Sequence, residues 1–335
     1  VRENGVFTID PSVTTLAEVL RKKGYKTAAF VSSFVLDRRF GLDQGFDVYD
    51  DQMTTGRKRN WRSHEVDKFE RRASQTAERA ISWIGENAGG KPFFLWVHFF
   101  DPHAPYEPPS EFAERFPRAY DGEVAYMDEN FGKLMKSIDE SGHEVLVVIA
   151  SDHGESLGEH GITGHGHDLY EHAVRTVLIF NIPSSMVREK RPGQRVVLSD
   201  VGSTILDVVK IRGPFPGRSL KNLWEGGASL PRNPLYLETV LPKLRWNRSA
   251  VFGIIEDKWK LIIYPRDYQC QMFDIDKDPA ELTNVVVEHR ELAEKLAARL
   301  GSMVRAAENS PDASFRVPLD PDTEEKLRSL GYVGD

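Results

Sequence analysis

Cysteine is almost missing from this chain. The single Cys270 excludes an internal disulfide framework and any cysteine-rich zinc site, and it leaves the compartment open. No stretch approaches the roughly 18 consecutive apolar residues of a membrane-spanning helix. The longest apolar runs, PFFLWVHFF and VLVVIA, have the length of buried strands. Positive charge is not in excess: 44 basic and 51 acidic side chains give a formal net charge of -7. That excludes a global electrostatic attraction to nucleic acid or to an anionic membrane. A start methionine and a signal-peptide pattern are also missing, so the chain is expected to begin at Val1 inside something longer. There is no internal repeat and no low-complexity stretch.

What is present is an alternation of helical and strand signals in 335 residues of 40% apolar content, enough for a substantial core and for two compact units. Thr15 and Glu18 make a capping box for a helix over 15–23, with Leu16, Val19 and Leu20 on one face and Gly24 as its stop. A strand KTAAFVS follows. Ala73, Ala77, Ile81 and Ile84 give residues 65–87 a helical period. The strand FFLWVHFF, a helix over 123–141, the buried run VLVVIAS at 145–151 and the strand VLIFN at 177–181 come next. This rhythm predicts an α/β fold with a mainly parallel, mixed central sheet and helices on both faces, and chemistry at the strand C-terminal ends. VLVVIAS reads as a strand buried on both faces of the parallel sheet. After about residue 232 the short strands PLYLET, AVFGIIE, KWKLIIY and QMFDI predict a smaller antiparallel sheet, closed by a helix from Val286 to about Arg305. The expected division is therefore 1–232 for a catalytic core and 233–335 for a small α+β subdomain.

Five of the ten histidines, His153, His160, His165, His167 and His172, fall within twenty residues that begin where VLVVIAS ends. Asp152-His153-Gly154-Glu155 leaves the strand tip, and Gly158, Gly161, Gly164 and Gly166 let backbone approach a bound anion. One loop histidine is ordinary, but a segment this dense in oxygen and nitrogen donors suits a divalent ion such as Mn²⁺, Zn²⁺ or Ca²⁺. A second segment, HFFDPHAPY, delivers His103 between Pro102 and Pro105, which stiffen its backbone. His98 alternates along its strand and reads as a core histidine.

At these residues the chain resembles the sulfatases of the alkaline phosphatase superfamily. The resemblance extends from the first residues to about residue 333 and is carried by five segments in family order, TLAEVLRKKGYKTAAFVSS, FFLWVHFFDPHAPYEPP, SDHGESLGEHG, GHGHDLYEHAVR and MFDIDKDPAELTNV. It implies an alkaline-phosphatase-like fold, one divalent metal ion (Ca²⁺, Mn²⁺ or Zn²⁺), and displacement at sulfur or phosphorus by a metal-activated nucleophile. Asp152 and His153 match the family's late pair of metal ligands. His103 matches the histidine that contacts the transferred group. His165 falls where many members place a lysine beside the leaving oxygen, which makes His103 and His165 the candidate catalytic residues. His160 and His167 have no equally firm counterpart; His167 and Arg175, in the leaving-group loop, are the candidate substrate-binding residues.

The departures from the family pattern bear on substrate. Many sulfatases carry Asn where this chain has His153, and a basic Lys-x-His element aligns with Ser32 and Phe34. Both differences point toward phosphate over sulfate esters. Thr176-Val177 replaces the usual Val-Pro after Arg175. The paired early aspartates and the nucleophile are expected ahead of Val1, so the chain by itself is expected to bind metal weakly and turn over no ester; Cys270 lacks the sequence context to replace the nucleophile. The expected substrate is a small-molecule, glycan or lipid sulfate or phosphate ester. Phosphodiester or phosphonate-ester hydrolysis, phosphoryl-group transfer and a non-catalytic anion-binding domain are the competing readings. An exported or periplasmic parent is compatible with all of these.

Overall fold

The computed structural model describes residues 7–53, 58–61, 64–67, 70–87, 89–182, 194–226, 230–231, 233–309 and 314–316. They group into two compact units, one reaching Val145 and including the strand Ser314–Arg316, the other running from Leu146 to Pro311. The boundary expected at residue 232 lies outside the described residues.

In the first unit, β1 (Phe7–Ile9) pairs antiparallel with Ser314–Arg316. Helix α1 (Leu16–Lys22) starts at the predicted capping box: Thr15 Oγ1 accepts from the Glu18 N–H, and the Glu18 carboxylate accepts from the Thr15 N–H at 3.0 Å. Gly24 takes the left-handed stop at φ +89°. Strand β2 (Lys26–Phe30) then runs parallel to β3 (Val48–Asp50) and to β6 (Phe93–Val97), in the order β3-β2-β6. Between them β4 (Lys58–Trp61) and β5 (His64–Asp67) form an antiparallel pair.

Helix α2 (Ala73–Asn87) therefore begins at Ala73 and not at residue 65. The reason is a partner distant in sequence, because the Asp101 carboxylate accepts the Ala73 N–H at 2.9 Å and so caps the helix there. Helix α3 (Ser110–Ala113) is a single turn, and α4 (Ala119–Glu140) starts a turn earlier than the periodicity predicts. Alternation along β2 divides the core: Ala28 and Phe30 pack with Trp83 and Ile84 of α2 and with Leu134 and Ile138 of α4. Ala29 and Val31 face Tyr49, Leu36, Leu42 and Phe46. Each large apolar side chain buried this way contributes about 1.5–3 kcal/mol.

The second unit opens with β7 (Val147–Ala150). Its excursion carries β8 (Ser156–Leu157), β9 (Thr163–Gly164) and the short helix α5 (Glu171–Val174) before returning as β10 (Leu178–Asn181). Strand β10 pairs antiparallel with β7. This corrects the reading of VLVVIAS as buried on both faces of a parallel sheet: the strand is half-buried with Ala150 exposed, and its one strand partner among the described residues is antiparallel. The connection between the two strands, residues 151–177, is long enough for either direction, so the apolar pattern of the strand leaves its pairing open.

Helices α6 (Asp200–Val208) and α7 (Asn222–Glu225) lead into the expected antiparallel meander. It consists of β11 (Leu235–Thr239), β12 (Val251–Glu256), β13 (Trp259–Tyr264) and β14 (Gln269–Asp274), with α8 (Leu241–Trp246) between the first two strands. Ile254, Leu261 and Met272 pack one face of this sheet against Ala293, Leu296 and Leu300 of α9 (Arg290–Glu308). Ile255, Ile262 and Phe273 pack the other face against Leu169 and Tyr170, in the loop that carries the histidines. The fold is thus mixed α/β, with a parallel sheet and a separate antiparallel sheet closed by a helix.

Candidate active site

His153, Glu155 and His165 each offer one donor atom, and the three atoms lie within 4.8 Å of one another. Strand β7 delivers the first two, and the β8–β9 turn folds the third back onto them. His165 Nδ1 is 2.8 Å from Glu155 Oε2, and the His153 and His165 rings stack at 4.0 Å between centroids. A carboxylate only accepts, so His165 Nδ1 donates to it, and this fixes the tautomer and leaves Nε2 for a ligand or a proton. His153 Nδ1 lies 2.8 Å from the Gly154 carbonyl, an acceptor that holds the proton on Nδ1 in the same way. Two imidazoles and a carboxylate form a donor set suited to a divalent ion of the Mn²⁺ or Zn²⁺ type.

Asp152 sits at the rim with its side chain 84% exposed; it accepts the His153 N–H, and its Oδ1 is 3.6 Å from His153 Nε2. It borders the three-residue cluster without belonging to it. Glu155 is the residue that sequence reasoning passed over as a ligand, although it ends the same Asp-His-Gly-Glu segment. Glycine is required between the two ligands: a Cβ on Gly154 would stand 2.1 Å from the His172 carbonyl oxygen. In return the Gly154 N–H donates to the Ala173 carbonyl of α5 at 2.9 Å. The backbone of α5 is therefore the seat of the loop.

The other predicted residues of this segment separate into two groups. His167 lies beside the cluster, since a Cβ on Gly164 would be 3.5 Å from His167 Nε2 and 3.9 Å from Glu155 Oε1. Arg175 follows α5, exposed, with its N–H donating to the Glu171 carbonyl at 2.8 Å. His160 is outside the cluster. It has a left-handed backbone at φ +52°, stacks on Tyr170 at 3.9 Å, and places Nε2 2.9 Å from the Ala280 carbonyl.

The first unit holds His103 in a recess lined by Glu70, Arg71, Arg72, Phe100, Asp101 and Glu123. Its ring stacks on Phe100 at 4.2 Å, and its Nδ1 is 2.8 Å from the Ala104 carbonyl. The Asp101-Pro102 and Ala104-Pro105 peptides on either side of it are both cis. The Glu123 carboxylate, projecting from α4, accepts the N–H of His103 at 3.2 Å and that of Glu107 at 2.7 Å. Burial pushes this carboxyl up to about 7, helped by neighbouring Asp101 and opposed by those N–H donors and by Arg72. Burial likewise raises Asp101, against the pull of Arg72 at 3.1 Å.

Ser32 and Phe34, at the aligned Lys-x-His positions, are core residues. Ser32 is fully buried between Thr76 Oγ1 and the His98 carbonyl, both at 2.6 Å, and Phe34 is 3% exposed. Cys270 is exposed on β14.

Comparison with known proteins agrees with this architecture. The sulfatase family model matches residues 4–211, and the N-sulphoglucosamine sulphohydrolase C-terminal model matches residues 158–306. An arylsulfatase of Clostridium perfringens is 24% identical, over 62% of this chain and 52% of its own length. A choline-sulfatase of Rhizobium meliloti is 29% identical, over 54% of this chain and 35% of its own. The chain thus spans about half or less of the length of these two relatives. Among solved structures, a protein in complex with its substrate D-glucosamine-2-N,6-O-disulfate superposes with a TM-score of 0.72 at 17% identity, covering 93% of this chain and 85% of the other. The phosphonate monoester hydrolase of Agrobacterium radiobacter has the same fold, with a TM-score of 0.70 at 16% identity over 95% and 89%. With the sulfatase model matched over more than half of its residues, the chain belongs to the sulfatase family, within the alkaline phosphatase superfamily.

Proposed function

We propose that this chain carries the late metal ligands and the leaving-group loop of a divalent-metal-dependent sulfuric ester hydrolase, with a sulfated sugar as the substrate class. The observation that carries the reading is the convergence of His153, Glu155 and His165 at a strand end in a chain of sulfatase family. The sugar sulfate is suggested by similar folds solved with D-glucosamine-2-N,6-O-disulfate and with a neocarrahexaose. In this reading residues 1–232 form the catalytic core that bears the site and 233–335 the small α+β subdomain, and the family's early ligands and nucleophile are not among these 335 residues.

His153, Glu155 and the neighbouring Asp152 would hold the ion, Mn²⁺, Zn²⁺ or Ca²⁺. When bound it supplies Lewis-acid stabilisation of charge on the ester oxygens. His165, oriented through Nδ1 by Glu155, presents Nε2 as the proton donor to the leaving oxygen. His103 contacts the transferred group, with His167 and Arg175 on the leaving-group side.

A second reading, phosphate or phosphonate ester hydrolysis, draws support from His153 and from the burial of Ser32 and Phe34, which removes two positive contacts of the sulfatase pattern. The roles are tested in protein that includes the segment expected ahead of Val1. Asp152→Ala and His153→Ala should lose metal and rate together, whereas His103→Ala should keep its metal and lose rate. Retention of metal and near-native turnover in all three would refute the assignment.

A further inference from the structure

Lys260 lies on β13 with its ammonium fully buried, on the same sheet face as Ile262 and in register with Phe273 and Ile255. That is the face against which the histidine loop packs. Its Nζ is 3.0 Å from Glu171 Oε1 and 2.9 Å from Glu281 Oε1. Glu281 in turn accepts the Glu171 N–H through Oε2 at 2.6 Å. Two carboxylates therefore clasp one buried ammonium, and both contacts converge on Glu171, the first residue of α5. A charge removed from water this completely persists only when paired, so the pairing holds Glu171 in place. Glu281 also has a left-handed backbone, φ +55°, which a non-glycine residue keeps only where its surroundings over-determine it.

Helix α5 is the element on which the metal-binding loop sits. Its Ala173 carbonyl takes the Gly154 N–H, and its His172 carbonyl leaves no room for a side chain at Gly154, between His153 and Glu155. We propose that Lys260 is a positioning residue of the metal site, fixing α5 through Glu171 so that His153 and Glu155 keep the spacing a metal ion requires. This rests on the reading of His153 and Glu155 as metal ligands.

Titration of the chain with Mn²⁺ by calorimetry tests it. Glu171→Ala removes the side-chain arm of the tether, leaving the backbone N–H of residue 171 on Glu281 and Lys260 paired with Glu281, and the Glu171 side chain is 21% exposed, so the variant should melt close to wild type. Its Mn²⁺ affinity should fall about 10- to 100-fold, the usual effect of losing a group that orients metal ligands. Glu171→Gln keeps an acceptor for the ammonium and should recover most of the affinity. Lys260→Met should weaken Mn²⁺ binding to the same degree; if it fails to fold, the two Glu171 variants decide. Wild-type Mn²⁺ affinity in both Glu171 variants, or a lowered melting temperature with unchanged affinity, overturns the positioning role alone. Binding by the chain alone is weak, so the titration runs to high metal concentration, and a wild-type chain that binds neither Mn²⁺ nor Zn²⁺ even there overturns the metal reading and this inference with it.

Discussion

Glu123 gives the sharpest test of the recess around His103. Its side chain is 3% exposed, and its carboxyl rises from the ordinary 4.5 to about 7, chiefly through burial. A carboxyl with a raised folded pKa binds its proton more tightly in the native state. Its contribution is therefore complete below about pH 4.5 and is lost as pH climbs through 7. A shift of this size, at 1.36 kcal/mol per unit, removes about 2.5 kcal/mol of stability between pH 5 and pH 8. Glu123→Gln keeps the shape and one acceptor for the His103 and Glu107 N–H groups and never ionises. Its stability relative to wild type should therefore improve by about 2–3 kcal/mol over that pH interval, starting within about 1 kcal/mol of wild type at pH 5. Urea denaturation of both proteins at pH 5, 6, 7 and 8 measures the difference, in which contributions from groups common to both largely cancel. A stability difference independent of pH would show that Glu123 is ionised throughout and that burial does not dominate its environment.

Two other outcomes are expected. Gly154→Ala should cost about 1–3 kcal/mol or more by thermal or chemical denaturation, because its Cβ meets the His172 carbonyl at 2.1 Å; wild-type stability would mean that the loop is not seated on α5. In protein that includes the nucleophile segment, His165→Ala should slow alkyl esters far more than nitrophenyl esters, since poor leaving groups depend most on a proton donor. Equal losses would reject that role, and the selective loss appearing in His167→Ala would transfer it there.

What could be read from the sequence was what is determined locally. The Thr15–Glu18 capping box, the Gly24 stop and the four short strands after residue 233 depend on neighbours a few residues apart, and all are present. The start of α2 depends instead on Asp101, which reaches Ala73 from the end of another strand, so the charged residues before Ala73 read as helix when part of them is β5. The apolar run VLVVIAS marks a strand but not its direction, and its antiparallel partner β10 is set by the fold. The density of histidines after Asp152 pointed to the segment in which His153, Glu155 and His165 come together. It did not single out Glu155, whose approach to His165 is made by the β8–β9 turn. Nothing in KWKLIIY sets Lys260 apart, and only the fold brings Glu171 and Glu281 to it.

Metal-dependent cleavage of a sulfate ester is decided by kcat/KM on matched aryl sulfate and aryl phosphate esters, measured before and after chelation in protein that carries the family's nucleophile. Cleavage of the sulfate should disappear on chelation and return with a single divalent ion. Turnover that favours the phosphate ester, or that survives complete removal of metal, would refute this function.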